Sequence, residues 1–157
     1  MEIDAQRIAS RIAYAREQVV LIESLLGTTP PERIISDPWT FGGLKYALQT
    51  AIEALVDIAY HICAKLYRHP PTDARDALVV LAQQGVIAQE DLGTYLAMVG
   101  FRNRLVHGYL GVTAERVYDI ARDDLRDIPR FLERVAKLLE PADARQDRSE
   151  KAPPEGD

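Results

Sequence analysis

The sequence predicts an all-α fold, an up-and-down bundle of about five helices, four long and one short. Three observations carry this. Apolar residues recur at helical spacing along most of the chain, and Gly or Pro punctuates each run. Alternating strand patterns, internal repeats and phosphate-cradling Gly-rich loops are missing. With 157 residues, 47% of them hydrophobic, the chain can bury one core of ordinary size.

Residues 4–26 read as the first helix, with Ile8, Ile12, Val19, Ile22 and Leu26 on its stripe and Gly27 as the expected C-terminal cap. The segment ERIISDPWTFGG, residues 32–43, is turn-rich and reads as loop. Leu44, Leu48, Ala51, Leu55, Ile58, Ile62 and Leu66 then form the longest apolar face, the second helix, which stops at His69-Pro70-Pro71. Thr72 can cap a short third helix through Ala77, Leu78 and Leu81, ended by Gly85. A fourth runs from about Gln89 to His107, with Gly108 after it. Thr113 opens a fifth through Val117, Ile120, Leu125, Phe131, Val135 and Leu138, and Pro129 predicts a kink near Asp127 or Ile128 rather than a clean break. Residues 141–157 mix charge with proline and lack periodicity, so they read as a disordered C-terminal tail.

Composition excludes several classes of function. A net charge of −5 and a pI near 5.2 do not suit a protein that coats nucleic acid, so any contact with RNA has to be local. The single Cys63 rules out an intramolecular disulfide and a Cys-rich metal site, and fits a buried residue in a reducing cytoplasm. No His/Cys cluster has metal spacing, and no metal is expected. The charged N-terminus is no signal peptide, and no stretch approaches the ~18 apolar residues of a membrane span. A soluble, cytoplasmic protein with no membrane partner follows.

The fourth helix is apolar on two sides: Leu92, Leu96, Val99 and Val106 form its main stripe, while Met98, Phe101 and Leu105 cluster elsewhere. The second helix likewise adds Ile52, Val56 and Cys63. Both sides need cover, from a neighbouring helix or from a second copy; a homodimer built on the fourth helix is expected. Asn103 falls in the sector of Val99 and Val106 and is expected to be buried, where an unpartnered amide costs about 1–3 kcal/mol. His107, one turn on, is its nearest candidate partner, and Asn103 would fix the ring's orientation. Arg102 lies about 140° from His107 on the wheel, so the two need not touch within one chain. Across a two-fold axis they could converge on one cleft suited to a phosphodiester. His supplies a base and an acid near neutral pH, and Arg stabilises the developing phosphorane charge. Helix-termination chemistry is the competing reading of the same residues, since Arg and His complement the dipole at a C-terminus.

The stretch MVGFRNRLVHGY, residues 98–109, resembles the signature of HepT-like HEPN (higher eukaryote and prokaryote nucleotide-binding) proteins: Arg, four residues, His, one residue, Tyr. Arg102, His107 and Tyr109 match it, and AIEALVDIAYHIC and VTAERVYDI resemble the family's other helices. Gly108 stands where the family more often has Glu. The resemblance covers most of residues 1–140 and implies a homodimer with a composite cleft, acting as a metal-independent endoribonuclease. It implies the toxin of a type VII-like toxin–antitoxin pair, neutralised when a minimal nucleotidyltransferase (MNT) antitoxin moves AMP from ATP onto Tyr109. No cofactor of the chain's own is implied; ATP serves the partner.

Arg104 is a further candidate for a phosphate or partner contact. Glu53, Asp57 and His61 form a polar line on the second helix that could reach the cleft, or could be a solvated face with an Asp57–His61 pair. His69 reads as loop. The alternative function is a non-catalytic helical dimer module that holds a nucleotide or a nucleotidyltransferase through its basic cluster.

Overall fold

The computed structural model describes residues 3–108 and 111–141. Among them lie seven α-helices, one 3₁₀ turn and no strand: α1 (Ala5–Thr28), α2 (Pro31–Ser36), α3 (Pro38–Lys65), α4 (Ala74–Gln83), the 3₁₀ turn (Gln89–Asp91), α5 (Leu92–Val106), α6 (Ala114–Asp123) and α7 (Asp127–Leu138). The all-helical class stands. The segments expected as a loop and as one kinked helix are resolved differently.

Residues 32–43 are helical almost throughout. Pro31 and Pro38 each take the first position of a helix, where the missing N–H has no intrahelical bond to lose and the fixed φ suits the turn. Asp37 caps α3: its carboxylate accepts from the Thr40 hydroxyl and from the Thr40 N–H at 3.3 Å, which holds its pKa below the usual carboxylate value. The expected fifth helix is two, α6 and α7, with a clean break at Asp124–Arg126. Pro129 is the third residue of α7, inside the first turn, so it helps start a helix instead of kinking one. Gly27 is no cap either, because α1 runs to Thr28, whose hydroxyl donates to the Ser24 carbonyl at 2.8 Å, and extended Thr29 ends it. α4 is capped by Asp73, which accepts the Asp76 N–H at 2.8 Å, rather than by Thr72.

α3 is the central element, packed against α1, α2, α4, α5, α6 and α7, and it buries twelve of its 28 residues. Each fully buried large side chain on it contributes about 1.5–3 kcal/mol. Its second apolar side, Ile52, Val56 and Cys63, is covered within the chain. There the Cys63 thiol donates to the Ala77 carbonyl of α4 at 3.2 Å, and burial pushes its pKa up to about 11, which makes it an unreactive core group.

α5 corrects the wheel reading. Met98, Phe101 and Leu105 are its core face, together with Tyr95 and Val99, while Leu92 and Leu96 are half-buried and Val106 is 50% exposed. Tyr95 is 2% exposed; its hydroxyl donates to the Asp127 carbonyl at 3.0 Å and its ring meets Phe131 edge-on at 5.4 Å. The chain's own helices thus cover one side of α5, and the side of Val106 stays open to solvent. Further open apolar side chains are Val20, Leu21, Trp39 and Tyr46 on α1 and α3, and Leu66 just after α3. Among the described residues no helix is long and apolar enough to cross a membrane. The tail expected at 141–157 lies, after Pro141, outside the described residues.

Candidate active site

The buried Tyr95, Met98, Phe101 and Leu105 anchor the body of α5, so its last turn is held at the surface of the bundle. The helix ends at His107, whose backbone (φ −97°, ψ 77°) has left the helical region while its N–H still donates to the Asn103 carbonyl at 3.0 Å. Asn103, Arg104 and His107 are all exposed. The expectation of a buried Asn103 is therefore overturned: its sector faces out because the Met98–Phe101–Leu105 side faces in. What links Asn103 to His107 is the backbone bond.

Arg102 is the motif residue that the fold partly buries. Its Nε is shielded from solvent and has no hydrogen-bond partner. The guanidinium acts on the Tyr60 phenol of α3, whose pKa is raised by burial and by Asp73 and lowered by Arg102. The residue as a whole is only half-buried, so the permanently charged guanidinium can still meet an anion. Tyr109 lies outside the described residues.

The polar line on α3 makes its bonds within α3 and with α1 and the residue before it. Glu53 accepts from Gln49 at 3.2 Å, Asp57 pairs with Arg11 of α1 at 3.4 Å, and the His61 Nε2 accepts the Asp4 N–H at 2.9 Å. The expected Asp57–His61 pair is replaced by these contacts, because α1 packs along that side. Burial, followed by the positive Arg7, lowers the His61 pKa. His69 is more than loop: it meets Asp76 at 3.0 Å and the left-handed Arg68 (φ 52°) turns the chain before it. Among the described residues no group of three or more His, Cys, Asp or Glu could hold a metal ion.

Sequence reasoning missed two clusters, one of which includes Arg104 of the motif stretch. Arg104 lines a cleft of about 360 Å³ with Arg75 of α4 and Arg116 of α6, and a smaller groove with Lys45 and Gly108. Trp39, 90% exposed, stands beside an apolar groove of about 530 Å³ between α1 and α3. The only signals were an arginine in the first turn of α4, where the helix dipole does not favour one, and a Trp in a stretch that reads as loop.

Fold and motif together define a helical bundle that presents an Arg-x-x-x-x-His pair at the end of one surface-held helix. The family described as Ribonuclease HepT-like matches residues 15–135, and the chain belongs to that family. It is 34% identical over 86 residues to the mRNA nuclease HepT of Shewanella oneidensis, a match covering 55% of this chain and 65% of that protein, just under two thirds. Among solved structures it resembles a tri-AMPylated Shewanella oneidensis HEPN toxin in complex with an MNT antitoxin (27% identity, TM-score 0.77, 83% of this chain and 97% of that one). A toxin–antitoxin structure with AMP-PNP is similar too (26%, TM-score 0.74, 82% and 97%). The cytosolic protein YutE of Bacillus subtilis, of unknown function, shares the fold at 18% identity and a TM-score of 0.77, over 89% of this chain and 94% of that one.

Proposed function

We propose that this chain is the toxin of a toxin–antitoxin pair, a metal-independent endoribonuclease of the cytoplasm in which Arg102 and His107 do the chemistry. The observation that carries the proposal is the partly buried Arg102, with its unpartnered Nε, five residues before an exposed His107 at a helix end. One imidazole takes the proton of a ribose 2′-hydroxyl as its oxygen attacks phosphorus. The bond from phosphorus to the 5′-oxygen breaks, and a second imidazole protonates that oxygen. Arg102 holds the charge on the non-bridging oxygens in between. The products are a 2′,3′-cyclic phosphate and a 5′-hydroxyl. Asn103 positions His107 through its carbonyl and the turn it closes.

The second imidazole comes from a second copy. The groove beside Trp39 has no charged residue in its lining, so self-association there brings no like charges together in a chain of net charge −5. A protruding Trp next to a hollow on one face is what a two-fold interface needs, each Trp39 filling the partner's hollow. Phe41 and Lys45, on another side of the same first turns of α3, line the smaller groove with Arg104 and Gly108, so the start of α3 that carries Trp39 meets the end of α5.

Regulation follows the complexes of the relatives. An MNT-type nucleotidyltransferase antitoxin transfers AMP from ATP to the Tyr109 oxygen, releasing pyrophosphate, and the added phosphate repels the RNA backbone. The test is direct. Purified protein with a chelator present should cut RNA to cyclic-phosphate ends, and the antitoxin with ATP should stop this while adding AMP-sized mass that Tyr109→Phe does not take up. RNA left intact under all conditions, with the antitoxin still bound, would instead establish the non-catalytic module.

A further inference from the structure

Arg75, Arg104 and Arg116 come from three helices, α4, α5 and α6, to line one cleft of about 360 Å³ in which Asp124 is the single acidic residue. The Arg75 Nη2 reaches over Gly100 of α5, 3.9 Å from where a Cβ would stand, an ordinary contact distance. Arg11, Arg122 and Arg130 each pair with an aspartate, whereas among the described residues none of these three has an ion-pair partner. All three arginines are exposed and Asp124 is the one opposite charge in the lining, so the cleft is net positive on a chain of net charge −5. Arg104 also lines the groove that holds Lys45 and Gly108, so the basic lining continues along α5 to the residue after His107. Leu96, Met98 and Phe101 add an apolar wall.

We propose that this cleft binds one or two backbone phosphates of the RNA strand, to one side of the bond being cut. The inference rests on the ribonuclease reading and adds a strand path to it. Guanidinium forks suit phosphate oxygens, and a path that ends at His107 sets which phosphodiester reaches the motif. With the cleft supplying local charge, an acidic protein can hold RNA without a basic surface.

The test uses the full chain and a fluorescent 2′-O-methyl oligonucleotide, which has phosphates but no nucleophilic hydroxyl and so is bound without being cut. Arg75→Glu/Arg116→Glu should weaken binding at least about tenfold and make the dependence of log Kd on log salt shallower by about 1.4, the single-strand value for two lost phosphate contacts. Arg75→Gln/Arg116→Gln should fall between, with circular dichroism showing the same helix content. Affinity and salt slope equal to the parent's would overturn the proposal. So would loss of ATP binding in the variant with oligonucleotide binding unchanged, which would make the cleft a site for free nucleotide. Weakened binding in a parent that cuts no RNA would support the cleft and reject the ribonuclease reading; cleavage with binding unaltered by the substitutions would do the reverse.

Discussion

α3 and α5 pack against each other and are built for different tasks. α3 buries twelve of 28 residues and touches every other α-helix, while α5 buries five of 15 and leaves Asn103, Arg104, Val106 and His107 at the surface. A helix that must satisfy neighbours on most sides has its sequence dictated by packing. A helix held by one face can end in polar groups that no fold requires. The cost of exposing them is small, and chemistry becomes possible there because water and substrate can reach them.

The largest effect on this comparison comes from removing what anchors α5. Phe131→Ala deletes the ring that meets Tyr95 and should destabilise the protein by about 3–5 kcal/mol in urea unfolding, taking RNA cleavage with it near the transition. A loss under about 1 kcal/mol would mean that α7 does not fix α5 in place. Trp39→Glu, on a 90% exposed residue, should leave the monomer folded yet shift it from dimer to monomer by analytical ultracentrifugation, with cleavage falling at least about tenfold. A Trp39→Glu dimer as tight as the parent's would move the interface elsewhere. Tyr95→Phe removes one buried hydrogen bond to Asp127 and should cost about 1 kcal/mol.

The two smallest effects sharpen the contrast between buried and exposed groups. The neutral His61 ring accepts the Asp4 N–H, and its folded pKa lies below its ordinary value, so the unfolded chain takes up the proton first. Its contribution is fully present above about pH 6.5 and is lost as pH falls through the lowered folded value. The urea midpoint should therefore drop between pH 7.5 and 5 by more in the parent than in His61→Gln. Asn103→Ala should change stability by no more than about 0.5 kcal/mol, as befits an exposed side chain. A loss of 1–3 kcal/mol, the range for a buried amide, would restore the wheel reading.

The difference between the helices also explains what was legible. The α3 stripe could be read because Leu44, Leu48, Leu55, Ile58 and Ile62 repeat at one period and all are buried. Pro38 misled because a proline that opens a helix and one that breaks it look alike until the capping Asp37 is seen to bond Thr40. α5 misled for another reason: with apolar residues on two sides, the wheel cannot say which side meets the larger neighbours. Arg102 and His107 could be singled out from their chemistry at a helix end, and resemblance to a motif added Tyr109. Arg75 and Arg116 could not be, since tertiary packing alone brings α4 and α6 beside Arg104.

The central claim is that the end of α5 is half of an active site. Arg102→Ala and His107→Ala should each lower RNA cleavage about 10²–10⁴-fold on their own. Unfolded and refolded with an equal amount of parent, His107→Ala should leave about a quarter of the activity of an all-parent sample, because half the dimers are mixed and a mixed dimer holds one imidazole where the reaction needs two. About half of that activity, with mixed dimers shown to be present by mass, is what independent subunits would give and would contradict it.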